Sequence, residues 1–123
     1  MSKEKDFRQV FNQLRDILKV YESELDIKID SLDNYYLDTY TINPNNKKPI
    51  FFAASVIKKN YVSYHLMPVY VFPELLAGLS DMLKKRMQGK SCFNFKEINQ
   101  EQLAELEELT RSSYHKFKEK QWV

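Results

Sequence analysis

The first stretch of the chain has the hydrophobic period of an amphipathic helix. Its apolar residues recur at helical spacing and form one stripe: Phe7, Val10, Phe11, Leu14, Ile17, Leu18 and Tyr21. Glu4 and Asp6 lie near the start, where negative charge suits the helix dipole. The pattern predicts a helix over about residues 4–23.

Strand patterns replace the helical period after this segment. LDIKID alternates apolar and charged residues, YYLDTYTI is rich in aromatic and β-branched residues, and YVSYHLM follows a tight turn at KN. IFFAASVIK, over 50–58, is almost continuously apolar, which predicts a central strand covered on both faces. SLDN and NPNNKKP have turn chemistry. Four consecutive strands in a meander are therefore predicted.

The last third of the chain predicts two short helices, one more strand and a long helix. FPELLAG has Pro at its first helical position, and SDMLKKRMQG has Ser80 as N-cap and Gly89 as its stop. SCFNF fits a fifth strand, and Asn99 with Gln102 predicts a capping box at the start of the final helix. The fold class expected is α+β, an antiparallel five-stranded sheet packed by the N- and C-terminal helices.

Length, charge and cysteine content narrow the class of protein. A chain of 123 residues predicts a single domain over 1–123. A net charge of +2 without a basic stripe argues against nucleic-acid binding. No apolar run is long enough to span a bilayer, and the N-terminal residues lack the pattern of a secretory signal. Cys92 is the single cysteine, which fits a reducing compartment, so a cytoplasmic location without a membrane is expected.

The sequence GKSCFNF, over 89–95, raises the question of a phosphate-binding P-loop. The full motif needs a glycine at position 84, where this chain has Lys84, and a helix after the loop, where a strand is predicted. The pattern instead favours Gly89 as a helix C-cap. A P-loop is therefore excluded.

Polar and aromatic residues near the predicted strand ends suggest a ligand pocket. The residues expected to line it are Tyr64, His65, Arg86, Lys90, Ser91 and Asn94. Such a set would favour a small anionic or aromatic ligand, and a protein partner is the other possibility. The simpler interpretation is that the aromatic residues belong to the core and that each histidine is an ordinary core or surface residue.

Two further chemistries are weighed against structural roles. Carboxylates gather around the end of the first helix and the first strands, and hard cations prefer oxygen ligands; the candidate ligands are Glu22, Glu24, Asp26 and Asp30. Alternating charges on a strand are more often a solvated face. Cys92 could serve as a thiolate nucleophile beside Arg86 and Lys90, but its base partner would be His65 only if the fold brought the two together. A buried structural cysteine is the simpler interpretation.

Two segments, KNYVSYHLMPVYVFPELL and LKKRMQGKSCFNFK, resemble the bacterial YdhG-like family, which is catalogued as a domain of unknown function. The resemblance covers roughly residues 5–118 and is most specific at RMQGKSCFNF. It implies a frataxin-like fold, and one branch of the family has been linked to intracellular iron delivery. In frataxins the iron-binding carboxylates lie on the first helix and first strand.

Three functions remain open from the sequence. The first is a non-enzymatic binding module of the YdhG-like type, without a cofactor. The alternative is an iron-binding chaperone that uses the carboxylates named above. The third is an enzyme that uses Cys92 or His65.

Overall fold

The computed structural model describes residues 3–123, with side chains from residue 7 onward. The described chain has four α-helices and six strands in this order: α1 Lys3–Lys19, β1 Asp26–Asp30, β2 Asn34–Ile42, β3 Pro49–Ile57, β4 Val62–Leu66, α2 Met67–Val71, α3 Asp81–Lys84, β5 Met87–Gln88, β6 Cys92–Phe95 and α4 Gln100–Glu119. Short 3₁₀ turns cover Glu22–Glu24 and Pro73–Leu76. The protein is therefore α+β, with the long helices at its two ends.

All six strands belong to one antiparallel sheet with the order β1-β2-β3-β4-β6-β5. The apolar strand β3 lies inside the sheet between β2 and β4, as its sequence predicts. The capping box of α4 is also confirmed. Gln102 N–H donates to Asn99 Oδ1 at 2.8 Å, and Asn99 N–H donates to Gln102 Oε1 at 3.0 Å.

Helices α1 and α4 pack on one face of the sheet and enclose the core. Phe52 of β3 lies in this core, where its ring meets those of Tyr21, Tyr114 and Phe117. A β-bulge places it there: Leu37 pairs with Ala53, but the next residue of β2 pairs with Phe51. The extra residue turns both Phe52 and Ala53 toward the helices. Full burial of one such phenylalanine contributes about 1.5–3 kcal/mol.

The segment before the last strand differs from the prediction. Helix α3 ends at Lys84, and Met87–Gln88 pair with Cys92–Phe95 as strand β5, so the sheet has six strands instead of five. The backbone N–H of Asn94 donates to the carbonyl of Arg86 at 2.7 Å, which begins this pairing. Gly89 is therefore a turn residue with φ +79° and not a helix stop. Pairing with β6 outweighs the helical pattern of the local sequence.

Two other helix boundaries also differ. Helix α1 ends at Lys19, and the chain continues through the 3₁₀ turn Glu22–Glu24 where one helix over 4–23 is predicted. FPELLAG forms the 3₁₀ turn Pro73–Leu76, and the sequence pattern does not predict α2 at Met67–Val71. None of the helices in the described part of the chain is long and apolar enough to cross a membrane.

The face of the sheet opposite α1 and α4 is called the outer face. One row of paired residues crosses all six strands on this face: Ile29, Tyr36, Ala54, His65, Cys92 and Gln88. Tyr36 and Phe51 stack there, with ring centroids 4.6 Å apart, and both stay half-exposed. The small side chain of Ala54, in the same row as Tyr36, is buried. The outer face therefore carries both aromatic and polar side chains on paired strands.

Candidate functional site

Tyr64 and His65 are neighbours on β4 and point to opposite faces of the sheet. Tyr64 is fully buried against α4, and its hydroxyl lies 2.6 Å from that of Thr110. Burial raises the pKa of the Tyr64 phenol. His65 is half-buried on the outer face. The structure therefore does not assemble the six predicted residues into one pocket, because strand alternation separates these two.

The other predicted pocket residues are also distributed around the molecule. Arg86 is exposed and lines a polar groove of about 710 Å³ with Lys85, Glu97 and neighbours at the start of α4. Ser91 is half-buried, and its carbonyl accepts the N–H of Leu66 at 2.9 Å. Lys90 lines a different groove, and Asn94 lies on the outer face beside His65. The predicted residues therefore lie in several separate places, and two of these are candidate sites: the groove lined by Lys90 and the outer face around His65 and Asn94.

The first place is a groove of about 590 Å³ between α2 with the turn after it and the β5–β6 hairpin; it is called the hairpin groove. Its lining residues are Val69, Tyr70, Pro73, Leu76, Met87, Gly89 and Lys90. Met87 packs against the core at its base, and Tyr70 is 55% exposed at its side. Among the described residues that line it, Lys90 alone carries a charge. The groove therefore combines apolar walls with one cationic group.

The second place is a square of four polar residues on β4 and β6, called the outer-face quartet: Ser63, His65, Cys92 and Asn94. In the strand register His65 faces Cys92 and Ser63 faces Asn94. The Ser63 hydroxyl donates to Asn94 Oδ1 at 2.7 Å. Cys92 Sγ lies 3.3 Å from Asn94 Oδ1, 3.5 Å from Ser63 Oγ and 3.6 Å from His65 Nε2. The fold thus brings His65 to the cysteine.

The surroundings of the quartet favour the neutral forms of both titratable groups. Burial raises the pKa of the Cys92 thiol, against smaller opposing effects of the Ser63 hydrogen bond and the Lys58 charge. Burial, assisted by Lys58, lowers the pKa of His65. At neutral pH the pair is therefore a thiol and a neutral imidazole. The interpretation of Cys92 as a buried cysteine is confirmed, since it is 9% exposed.

The four predicted carboxylate ligands do not form a metal-binding group. The Tyr35 hydroxyl donates to Glu22 Oε2 at 2.6 Å, and Asp26 pairs with Lys28 at 2.8 Å. Glu24 and Asp30 are exposed. Within the described residues, no group of three or more His, Cys, Asp or Glu side chains is placed to hold a metal ion. Two of the four carboxylates therefore have structural partners in the fold.

The sequence pattern does not predict the register that assembles the quartet or the helix that walls the hairpin groove. Strand alternation places Ser63 with His65, and Cys92 with Asn94, but the register between β4 and β6 cannot be obtained from alternation. Helix α2, which forms one wall of the hairpin groove, has Pro68 in its first turn, and a proline at that place is a signal for a helix start. Comparison with known proteins gives no further guide. No family model, curated protein or solved structure matches the chain.

Proposed function

We propose that the protein is a non-enzymatic binding module that holds a small anionic molecule with an apolar body in the hairpin groove. The observation that carries the proposal is the combination of apolar walls with the single charge of Lys90. Ligand sites in proteins are commonly concave and mostly apolar, with a few polar groups that orient the ligand. The hairpin groove has this character.

The walls of the groove are fixed by the core, which supports a preformed site. Val69 of α2 is buried, and Phe72, at the end of α2, packs against Phe117 and Trp122. On the opposite wall, Met87 is held by strand pairing with Phe93. A ligand that enters the groove therefore meets positioned side chains, which lowers the entropy lost on binding.

Lys90 supplies the preference for an anion. It lies in the turn between β5 and β6, and its side chain is exposed. A carboxylate, sulfonate or phosphate at the rim would pair with the ammonium group while the apolar part of the ligand covers Leu76 and Met87. An exposed ion pair contributes about 0.2–1 kcal/mol, so the apolar contacts supply most of the affinity.

The test compares two fluorescent probes, 8-anilinonaphthalene-1-sulfonate and its uncharged analogue N-phenyl-1-naphthylamine. Tyr70→Ala should weaken both probes, because it removes an apolar wall that is exposed in the free protein. Lys90→Gln should weaken the sulfonate by about two- to fivefold and leave the uncharged probe unchanged. Fluorescence titration measures both affinities.

Lys85→Gln is the matched control, since Lys85 is an exposed cation that lines the separate groove near α4. It should leave both affinities at the wild-type value. Equal losses in Lys85→Gln and Lys90→Gln would indicate a general effect of net charge. That result, or unchanged binding in Tyr70→Ala, contradicts the proposal.

We also infer that the chain is a YdhG-like protein with the frataxin-like arrangement that this family implies. The support is the order of elements, with terminal helices on one face of an antiparallel sheet, together with the RMQGKSCFNF segment. A cytoplasmic location is part of the proposal, because a free thiol at Cys92 suits a reducing compartment.

A further inference from the structure

We propose that the outer-face quartet is a site for a thiophilic divalent cation of the Zn²⁺ class. The ligands are Cys92 Sγ, His65 Nε2 and Asn94 Oδ1, and a fourth position stays open on the outer face. This site shares no residue with the hairpin groove, so it stands or falls independently of the function proposed above.

The strand pairing explains why the cysteine and the histidine meet. The N–H of Leu66 donates to the carbonyl of Ser91, so these neighbours form a hydrogen-bonded pair. Pair types alternate along antiparallel strands, which makes His65 and Cys92 a non-hydrogen-bonded pair, the type with the closer side chains. Both ligands therefore project from adjacent rigid strands at the closest approach that a sheet allows.

The distances from the Cys92 sulfur to the other two ligand atoms fit the edges of a tetrahedral zinc site. Zn–S bonds of about 2.3 Å and Zn–N bonds of about 2.0 Å, at a tetrahedral angle, separate sulfur from nitrogen by about 3.5 Å. The observed separation of Cys92 Sγ and His65 Nε2 is 3.6 Å. The same calculation with a Zn–O bond of about 2.1 Å gives a sulfur–oxygen edge of about 3.6 Å. Asn94 Oδ1 lies 3.3 Å from the sulfur and needs only a small shift.

Hydrogen bonds already hold the polar atoms of the quartet close together. The Ser63 hydroxyl donates to Asn94 Oδ1, and three polar atoms lie within 3.6 Å of the Cys92 sulfur. A cation bound between sulfur, nitrogen and oxygen would replace the contacts of the thiol proton.

Protonation at neutral pH is compatible with binding. The imidazole of His65 is neutral, so a ring nitrogen is free to coordinate after the tautomer places the proton on Nδ1. Cys92 releases its thiol proton to solvent as the metal–sulfur bond forms, so one proton leaves per cation bound. Lys58 is the charged group that acts on both residues, and it opposes the cation. Removal of Lys58 should therefore tighten binding.

The test titrates the full chain with Co²⁺ and then displaces it with Zn²⁺. Wild-type protein should develop a thiolate-to-cobalt charge-transfer band in the near ultraviolet that Zn²⁺ abolishes. Cys92→Ser should lose the band, and His65→Ala should weaken Co²⁺ at least tenfold. His115→Ala is the matched control, because His115 is exposed on α4, and it should bind as wild type does. Circular dichroism confirms that each variant is folded.

A second measurement needs no variant. Zn²⁺ should slow the alkylation of Cys92 by iodoacetamide at least tenfold, and each bound Zn²⁺ should release one proton. Alkylation that is rapid and insensitive to Zn²⁺ would identify a free nucleophilic thiol and overturn the metal site. A charge-transfer band of equal strength in His65→Ala would overturn it as well, since it would reduce the site to a single thiolate.

Asn94→Asp tests the third ligand. A carboxylate at this position should tighten Zn²⁺ at least threefold if the residue coordinates the cation, whereas Asn94→Ala should weaken it. Equal affinities in both variants would remove Asn94 from the ligand set and contradict the proposal in its three-ligand form.

Discussion

The hydroxyl groups of Tyr64 and Thr110 lie 2.6 Å apart in the interior, where β4 meets α4. Both residues are fully buried. Their hydrogen bond joins a side chain of the sheet to a side chain of the C-terminal helix. Either hydroxyl can be the donor. The pair therefore fixes the helix against the sheet in a region that is otherwise apolar.

Removing both partners of this pair should cost less than the sum of the two single removals. Tyr64→Phe and Thr110→Val each leave a buried hydroxyl without its partner, so we expect each to lower the free energy of unfolding by about 1–3 kcal/mol. The double variant should lose less than the sum of the two, because no hydroxyl is then left unpaired. Urea unfolding of all four proteins measures the coupling.

Tyr70→Phe is the control for loss of a phenol, since Tyr70 is 55% exposed. Its free energy of unfolding should stay within about 0.5 kcal/mol of wild type. Strictly additive losses in Tyr64→Phe and Thr110→Val would show that the two hydroxyls do not stabilise each other.

His65 should make the fold less stable at acidic pH. Burial and Lys58 hold its pKa below the ordinary value in the folded protein, while the unfolded chain keeps a value of about 6.5. As pH falls below about 6.5, the unfolded state takes up the proton first, so stability declines until the folded-state pKa is passed. His65→Gln should reduce the slope of stability against pH in this window.

The measurement is urea unfolding between pH 7.5 and pH 5 in metal-free buffer. His115→Gln, an exposed replacement on α4, is the control for the loss of an imidazole. A steeper acid loss in His65→Gln than in wild type would mean that the imidazolium is stabilised in the fold, contrary to the environment of the outer-face quartet.

Gly89 should be needed for its backbone conformation alone. It has φ +79°, and a Cβ at this position would meet no atom within 4 Å. Gly89→Ala should therefore cost about 1–2 kcal/mol from the left-handed backbone and nothing from steric contact. Asn is tolerated in this region, so Gly89→Asn should cost less. Thermal unfolding of the two variants gives the order, and equal losses would point to a steric cause.

The contrast between Asn99 and Gly89 shows where sequence patterns succeed. Asn99 caps α4 through contacts with Gln102, three residues away, so the local sequence contains the whole interaction. The sequence predicts Gly89 as a helix stop because the residues before it have a helical pattern. Its actual role depends on pairing between Met87 and Phe93, in a strand β6 that also pairs with β4.

The outer-face quartet is still harder to predict from sequence patterns. Alternation alone assigns Cys92 and Asn94 to one face and Phe93 and Phe95 to the other, and the structure confirms both assignments. The meeting of Cys92 with His65 depends on the register of two strands whose paired residues are 27 positions apart. A one-residue slip would place Tyr64 or Leu66 opposite Cys92 instead.

Asp38 should destabilise the fold at neutral pH. Asp38 is only 8% exposed. None of the described residues donates a hydrogen bond to its Oδ1. Burial raises its pKa; Lys28 acts in the opposite direction and Asp26 adds to the rise. The unfolded chain therefore ionises at lower pH than the folded protein, and stability declines as pH rises from about 3.8 through the folded-state pKa.

Asp38→Asn removes this charge with little change in shape. At pH 7 we expect the free energy of unfolding to rise by more than about 0.5 kcal/mol, the usual limit for exposed substitutions. At pH 3 we expect no rise, because the carboxyl is then protonated in both the folded and the unfolded state. Asp33→Asn, at an exposed turn position, is the control. Urea unfolding of wild type and both variants at the two pH values measures these differences. A loss of stability at pH 7 in Asp38→Asn would show that Lys28 more than offsets the cost of burying the carboxylate.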